Sequence, residues 1–305
     1  MESIGAAYTC AVSVELRHVR YLIAVAEQGS FTRAAEVLHV SQPTLSQQVQ
    51  KLEASLGAAL LDRSGRRVRL TDAGAAFLDR ARVGLREIAA AERAISDVED
   101  LSRGELRVGM TPTFSSGALA APLADFAEIA PAIRVTVATA PQTELEQRLL
   151  EDDLDLAVGF AGEHAVGVVP SPLHAEDLHV AIRADRDGPA SDTDRHWLAA
   201  QRFALLPTTF ATRTHIDGYF GRLGLPVRVI FEADSVTTLV QVVTRTTLTT
   251  VLPGHAIAAE PGIRSAGRID GRTVVALHRD GAYVTAAAAA FRRTLQAWRP
   301  VSGGA

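Results

Sequence analysis

The hydrophobic positions of this chain keep one period at the start and another further along. From Leu16 to Leu56 they recur every three or four residues, the pattern of amphipathic helices. Leu16, Val19, Tyr21, Leu22, Val25 and Ala26 mark a first helix ending at Gln28. Ala34, Ala35 and Leu38 mark a second, and Leu45, Val49, Leu52 and Leu56 a third. Ser30 and Ser41 stand where the second and third helices must start, each with an oxygen that accepts from an orphan backbone N–H. Pro43 falls in the first turn of the third, where a missing N–H goes unused, and Gly57 closes it. Two such helices at a tight corner are a helix-turn-helix. Ala59 to Asp62 and Val68 to Leu70 then read as a short hairpin turning at Ser64-Gly65, a wing.

Thr71 caps a long helix with Asp72 in its first turn, and an apolar stripe runs along it through Phe77, Leu78, Ala81, Leu85, Ile88, Ala91, Ile95, Val98 and Leu101. A helix this long cannot bury such a stripe alone, so a partner helix from a second chain is expected, the alternative being packing on its own C-terminal domain. Ser102-Arg103-Gly104 reads as a hinge. From Glu105 the pattern alternates strands and helices: LRVGM, a helix from Ser116, IRVTVAT, a helix from Gln142, LDLAVGF. A second set follows: LHVAIR, a helix near Trp197, RFALL, a helix over Arg213 to Leu223, VRVIFEA, a helix from Ser235, TLTTVLP. TVVALH and a helix from Val284 to Trp298 close the chain. Such βαβαβ runs predict parallel sheet with helices on both faces, here in two lobes with a cleft between. The expected organisation is an extension (1–13), an all-α winged helix-turn-helix (14–72), a linker helix and hinge (73–104) and an α/β domain (105–300). In that domain lobe I takes about 105–163 and 265–300, and lobe II about 164–264.

Composition narrows the class. A chain of 305 residues, 47% hydrophobic and 22% charged, buries two or more cores and is not a disordered polymer. Its net charge of −4 argues against nucleic acid until it is divided along the chain. Between Val14 and Asp72 eight basic residues face six acidic ones, so that region is +2 and the remainder −6. Cys10 is the one cysteine, which excludes an internal disulfide or a cysteine-based zinc site. No apolar run approaches bilayer length, and the N-terminus has no basic segment leading into an apolar one, so a cytoplasmic protein is expected. Hydrolase, metalloprotease, phosphate-loop and dinucleotide motifs are absent, and the nine histidines show no ligand spacing; no enzyme, metal or cofactor is expected. The acidic run Glu151-Asp152-Asp153-Asp155 reads as a helix end facing water.

Two groups of residues carry candidate chemistry. The polar side of the third helix holds Gln42, Thr44, Ser46, Gln47, Gln48 and Gln50, few of the charges usual on a solvated face. Amides and hydroxyls both donate and accept, as reading base edges in a major groove requires. Arg63, Arg66, Arg67 and Arg69 crowd one short hairpin and call for anions, which DNA phosphates or a minor groove supply. In the α/β domain a ligand is expected beyond strand ends, at helix starts. Those positions hold Thr113, Ser115, Gln142 and Thr212, with Phe160 and Phe210 as apolar walls; free N–H groups and hydroxyls there favour a small anion. Arg213 reads as a solvated first-turn residue.

The run from Leu16 to Arg82, including GSFTRAAEVLHVSQPTLSQQVQKLEASLGAALLDRSGRRVRLTDAG, resembles the winged helix-turn-helix of LysR-type transcriptional regulators. The likeness continues through AISDVEDLSRGELRVGMTPTFSS (Ala94 to Ser116), FATRTHID (Phe210 to Asp217) and RTTLTTVLP (Arg245 to Pro253), where it is most similar to cyanate-operon activators. The resemblance implies a two-lobed, type 2 periplasmic-binding-protein-like effector domain, a linker helix pairing two subunits, and a dimer of dimers on double-stranded DNA. It implies DNA contacts by Gln42, Pro43, Ser46, Gln47 and Arg66, with Arg66 in the minor groove; the residues themselves add Ser41, Thr44, Arg63 and Arg67 as candidates. It places an effector, cyanate in the nearest relatives, at Thr113 and Gln142. Many family members have arginine at Gln47. The other reading is a solute-binding or sensor protein acting through its C-terminal lobes, which leaves the N-terminal motif unexplained.

Overall fold

A computed structural model of the chain describes residues 14–97, 101, 103–189 and 194–299. The chain divides into two compact units between Ala91 and Glu92. The first opens with α1 (Leu16–Gln28), α2 (Phe31–Val37) and α3 (Gln42–Leu56). Both expected caps form: Arg33 N–H donates to Ser30 Oγ (3.4 Å) and Thr44 N–H to Ser41 Oγ (3.2 Å). Gly57, at φ 66°, ends α3 in the left-handed region. Leu22, Ala34, Leu45, Val49 and Leu52 share one core across the three helices. Leu16, expected inward, is 42% exposed because it is the first residue of α1, ahead of the turns that the other helices cover.

The wing is β1 (Leu61–Asp62) and β2 (Arg69–Leu70), paired Leu61 to Leu70 and Asp62 to Arg69. Val68 N–H donates to Gly29 O (3.1 Å), tying the hairpin to the corner between α1 and α2. The long helix α4 (Asp72–Asp97) follows at once, and its first turn lies against the wing: a Cβ on Gly74 would fall 2.0 Å from Leu60 O. Phe77 and Leu78 pack into the three-helix core, so the start of this helix belongs with the N-terminal unit. Further along its stripe Ile88 and Ile95 are 37% and 75% exposed. The extension 1–13, Val98 and Ser102 lie outside the described residues.

The second unit runs β3 (Gly104–Met110), α5 (Pro112–Ser115), α6 (Ala120–Ile129), β4 (Ile133–Thr139), α7 (Gln142–Leu150), β5 (Leu156–Phe160), β6 (Val168–Arg183) and α8 (Arg195–Ala200). It continues through β7 (Phe203–Leu205), α9 (Ala211–Leu223), β8 (Val229–Glu232), α10 (Val236–Arg245), β9 (Thr250–Pro253), α11 (Gly254–Ala258), β10 (Ile263–Arg279) and α12 (Ala286–Ala297). One sheet has the order β4-β3-β5-β10-β6-β9. β3 is parallel to β4 and β5, as the βαβαβ pattern predicts, and β10 is antiparallel to β5 and β6. β7 and β8 pair in parallel, and Phe203 of β7 is bridged to Thr249 just before β9.

β6 and β10 are far longer than LHVAIR and TVVALH, with 16 and 17 residues, because they run through both lobes. Val168, Val274 and Ala276 pack in lobe I cores with Phe114, Phe291 and Leu149 or their neighbours. Leu178, Val180 and Ile269 pack in lobe II with Phe203 and Phe220. The strands therefore cross between lobes near Glu176 and Arg272, which face each other in register. Residues 168–176, which the sequence assigns to lobe II, pair within the lobe I half of the sheet, and 265–268, which it assigns to lobe I, pair within lobe II.

Candidate functional site: nucleic-acid interface and interlobe cleft

On α3 the sequence-predicted face is largely open. Ser41, Gln42, Pro43, Thr44, Gln47 and Gln50 are exposed and Ser46 is half-buried. Ser41 Oγ lies 2.7 Å from Thr44 Oγ1, so these two hydroxyls orient each other at the helix start. Gln48 departs from the group: its Oε1 sits 2.7 Å from the buried His18 Nε2 and holds α3 to α1. Arg66 and Arg67 are exposed on the wing and make no ion pair among the described residues. Arg63 does. Its guanidinium donates to Glu53 Oε2 (2.7 Å) and lies 5.0 Å from the Phe31 ring centroid, while Glu53 Oε1 accepts from Leu60 and Leu61 N–H (2.9 and 3.1 Å). Arg63 therefore pins the wing to α3 and has its charge matched internally. Asp62 shapes the wing's turn by accepting from Ser64 N–H and Oγ (2.9 and 2.7 Å), and these bonds hold its carboxyl below the usual range.

In the second unit a cleft of about 620 Å³ opens between the lobes, lined by Gln142, Glu146 and Phe160 on one side and Thr208, His215 and Arg222 on the other, with Arg272 from the crossing strand. Arg272 is buried. It donates to Glu176 Oε2 (2.7 Å), to Thr212 Oγ1 (2.8 Å) and to Thr113 Oγ1 (3.1 Å), and stacks 3.4 Å from the Phe160 ring centroid. One guanidinium thus holds a hydroxyl from each lobe at the crossing. Glu176 Oε1 lies 3.6 Å from His255 Nδ1, and His255 Nε2 lies 3.2 Å from Thr113 O. Burial holds His255 below the ordinary histidine value, against the pull of Glu176. Burial likewise depresses His174, whose ring packs edge-on against Trp298.

Comparison with known proteins converges on one family. Residues 16–75 match the model described as a bacterial regulatory helix-turn-helix protein of the lysR family, and residues 99–300 match the LysR substrate binding domain. The chain belongs to the LysR family. It is 33% identical over 244 residues to the nitrogen assimilation regulatory protein nac of Klebsiella aerogenes, covering 80% of this chain and 79% of the relative. It is 30% identical over 253 residues to the transcriptional dual regulator OxyR of Escherichia coli K12, covering 81% of each. Full-length CbnR complexed with its target DNA matches with a TM-score of 0.65 at 26% identity, over 93% of this chain and 99% of CbnR. A full-length OxyR variant of Pseudomonas aeruginosa shares the fold, with a TM-score of 0.69 over 93% and 95% of the two chains at 24% identity. The chain is thus a LysR-type DNA-binding transcriptional regulator with an effector-binding domain, in a family that binds DNA and small effectors and forms oligomers.

Within this LysR effector domain the residues expected in the cleft fall into two groups. Gln142 and Phe160 line the cavity, but Gln142 is engaged: its Oε1 accepts from Phe160 N–H (2.8 Å) and its Nε2 donates to Glu146 Oε1 (3.0 Å) and Phe160 O (3.2 Å). Thr113 and Thr212 do not line the cavity; they hold Arg272, which does. Ser115 accepts from Thr139 Oγ1 (3.4 Å) outside the cavity, and Phe210 packs in the lobe II core with Leu206 and Val240. Arg213 is buried, not solvated, and bridges Asp217 (2.9 Å) and Glu232 (2.6 Å). Asp155 is no solvated end either; it accepts from Arg107 N–H (2.8 Å) and its guanidinium (2.6 Å). Glu146, His215, Arg222, Arg272 and Glu176 were absent from the expectations. Among the described residues no helix is long and apolar enough to cross a membrane, and no cluster of His, Cys, Asp or Glu could hold a metal ion.

Proposed function

We propose that α3 docks in the major groove of double-stranded DNA with Gln42, Pro43, Ser46 and Gln47 toward the bases, Ser41 and Thr44 toward the adjoining backbone, and Arg66 and Arg67 of the wing toward the minor groove and phosphates. The observation that carries this reading is the open, uncharged polar face of α3 beside wing arginines that lack internal partners. Arg63 drops out of the direct contacts because Glu53 holds it. Two chains pair through α4, whose Ile88 and Ile95 are left exposed in one chain, and the pairs assemble as a dimer of dimers in the cytoplasm. A small molecule in the interlobe cleft biases the DNA-bound arrangement by its differential affinity for the two states of the domain. Neither the names of the relatives nor the cleft favours cyanate: about 620 Å³ lies in the range that takes drug-sized ligands, and a three-atom ion leaves most of it to water. The effector domain itself offers no thiol, since residues 105–300 contain no cysteine.

Fluorescence anisotropy of the purified protein on its own upstream intergenic DNA, titrated with salt, tests the docking. Arg66→Ala should weaken binding to all sequences and reduce the salt slope by about one unit. Gln47→Ala should leave that slope unchanged and relax preference at particular bases, by about 1–3 kcal/mol each. Unchanged affinity in both variants sinks the docking model. Repeating the titration with cyanate against chloride at equal ionic strength decides whether that ion has any part.

A further inference from the structure

The reading of the cleft as an effector site leaves the chemistry of its ligand open, and the two walls supply that chemistry. On the lobe II side one face of α9 runs along the cavity, presenting Thr214, His215, Gly218 and Arg222 at helical spacing. Gly218 adds no side chain; a Cβ there would lie 3.7 Å from Arg222 Nη1, so the guanidinium lies back along the helix face. Its partner is Asp270, in an open ion pair whose side chains are 60% and 45% exposed. An exposed pair of this kind contributes little, so a ligand anion can take the place of Asp270 at small cost.

The lobe I wall carries the opposite charge. Glu146 and Glu163 both line the cavity. Glu146 is saturated by Gln142 Nε2, His164 Nδ1 (2.8 Å) and Ala165 N–H (2.8 Å). Glu163 is exposed and has no hydrogen-bond or ion-pair partner among the described residues. Arg272, the second guanidinium of the cavity, is already committed to Glu176 and the two threonines. The exchangeable charges are therefore one cation, Arg222, and one anion, Glu163, on opposite walls. A bare anion leaves Glu163 unpaired beside it, and a bare amine leaves Arg222 on Asp270.

We propose that the cleft binds a small zwitterion with the chemistry of a free amino acid, its carboxylate on Arg222 in place of Asp270 and its ammonium toward Glu163. The hydroxyls of Thr208, Thr209 and Thr214 line the space left for the side chain. His215 fits the same picture: burial, with Arg272 and Arg222 nearby, holds it below the ordinary histidine value, and a carboxylate arriving at Arg222 relieves that repulsion.

The proposal rests on the cleft being the effector site, and the test separates the two. Titration calorimetry of the full chain with the common α-amino acids, the corresponding 2-hydroxy acids and the corresponding primary amines should find at least one amino acid that binds. Its hydroxy acid and its amine should each bind at least tenfold more weakly. Arg222→Gln and Glu163→Gln should each weaken it at least tenfold, with thermal melts confirming the fold, and Asp270→Asn, which removes the competing carboxylate, should tighten it. Equal affinity for the hydroxy acid, or no effect of Glu163→Gln, overturns the proposal. A low-molecular-mass filtrate of cell extract that shifts DNA binding when no amino acid does overturns the zwitterion and keeps the effector; a filtrate without effect removes both.

Discussion

The recognition helix and the cleft handle polar side chains in opposite ways. On α3 the amides of Gln42, Gln47 and Gln50 are exposed, with Gln48 alone turned to a partner in its own unit. In the cleft, Gln142, Glu146 and Arg272 are each satisfied by neighbours before any ligand arrives. A helix that must meet a rigid groove keeps donors and acceptors free in advance. A cavity that stands between two lobes cannot leave them orphaned, since an unpaired buried group costs free energy, so it pairs them internally and keeps a few exposed charges for exchange. In the proposed reading, binding at the first surface adds contacts and binding at the second exchanges them.

Substitutions should therefore separate stability from affinity by location. The largest stability loss is expected for Arg272→Met, which strands the Glu176 charge among buried groups and should cost about 3–5 kcal/mol. The double variant with Glu176→Leu should recover much of that, since the desolvation of both charges is then avoided. Both tryptophans, Trp197 and Trp298, belong to the second unit, so fluorescence-detected urea unfolding reports it selectively. A smaller loss at Arg272→Met than at its double variant contradicts the clamp. In the other unit Gly74→Ala drives a methyl against Leu60 O and should cost about 1–3 kcal/mol or more. It should reduce DNA binding while leaving the tryptophan transition in place. A shift of that transition means the two units do not unfold independently.

Acid provides a third and milder break in the second unit. Burial is the leading cause that lowers His174, His215, His255 and His278 from 6.5. Each folded value lies below the unfolded one, so below about pH 6.5 the unfolded chain binds protons that the folded unit refuses. The contribution is complete above that pH and is lost as pH falls through it. The urea midpoint read by tryptophan should fall from pH 7.5 to 5.5, and a midpoint that rises instead means that protonation of His255 beside Glu176 outweighs burial of the four.

What the sequence revealed follows the range of the interactions. The caps at Ser30 and Ser41, Pro43 and Gly57 act within four residues, and the amphipathic spacing of α1 to α3 is local, so the helix-turn-helix was legible. The clamp was not. Arg272 meets Glu176, Thr212 and Thr113 across 96, 60 and 159 residues, and nothing near any of them in the chain marks the meeting. For the same reason the sequence pattern marks only parts of β6 and β10: their pairing is broken where they pass from one lobe to the other, at the register shifts around Arg268 and Gly271. Thr113 and Thr212 are hydroxyls at helix starts, as the sequence indicates; that both hold a guanidinium depends on a strand 159 and 60 residues further on.

Arg63 offers the smallest effect and the sharpest test of the contrast, because it is the one wing arginine that behaves as cleft residues do. Its pairing with Glu53 is partly exposed on the arginine side and should contribute about 0.2–1 kcal/mol. Arg63→Ala leaves Glu53 bonded to Leu60 and Leu61 N–H, so the wing strand stays anchored. The variant should then lower the stability of the N-terminal unit slightly and leave the salt slope of DNA binding where it was, whereas Arg66→Ala reduces the slope with the fold unchanged. If Arg63→Ala removes as much slope as Arg66→Ala, the guanidinium leaves Glu53 for a phosphate on binding, and exchange of an internal partner operates at the DNA surface as well as in the cleft.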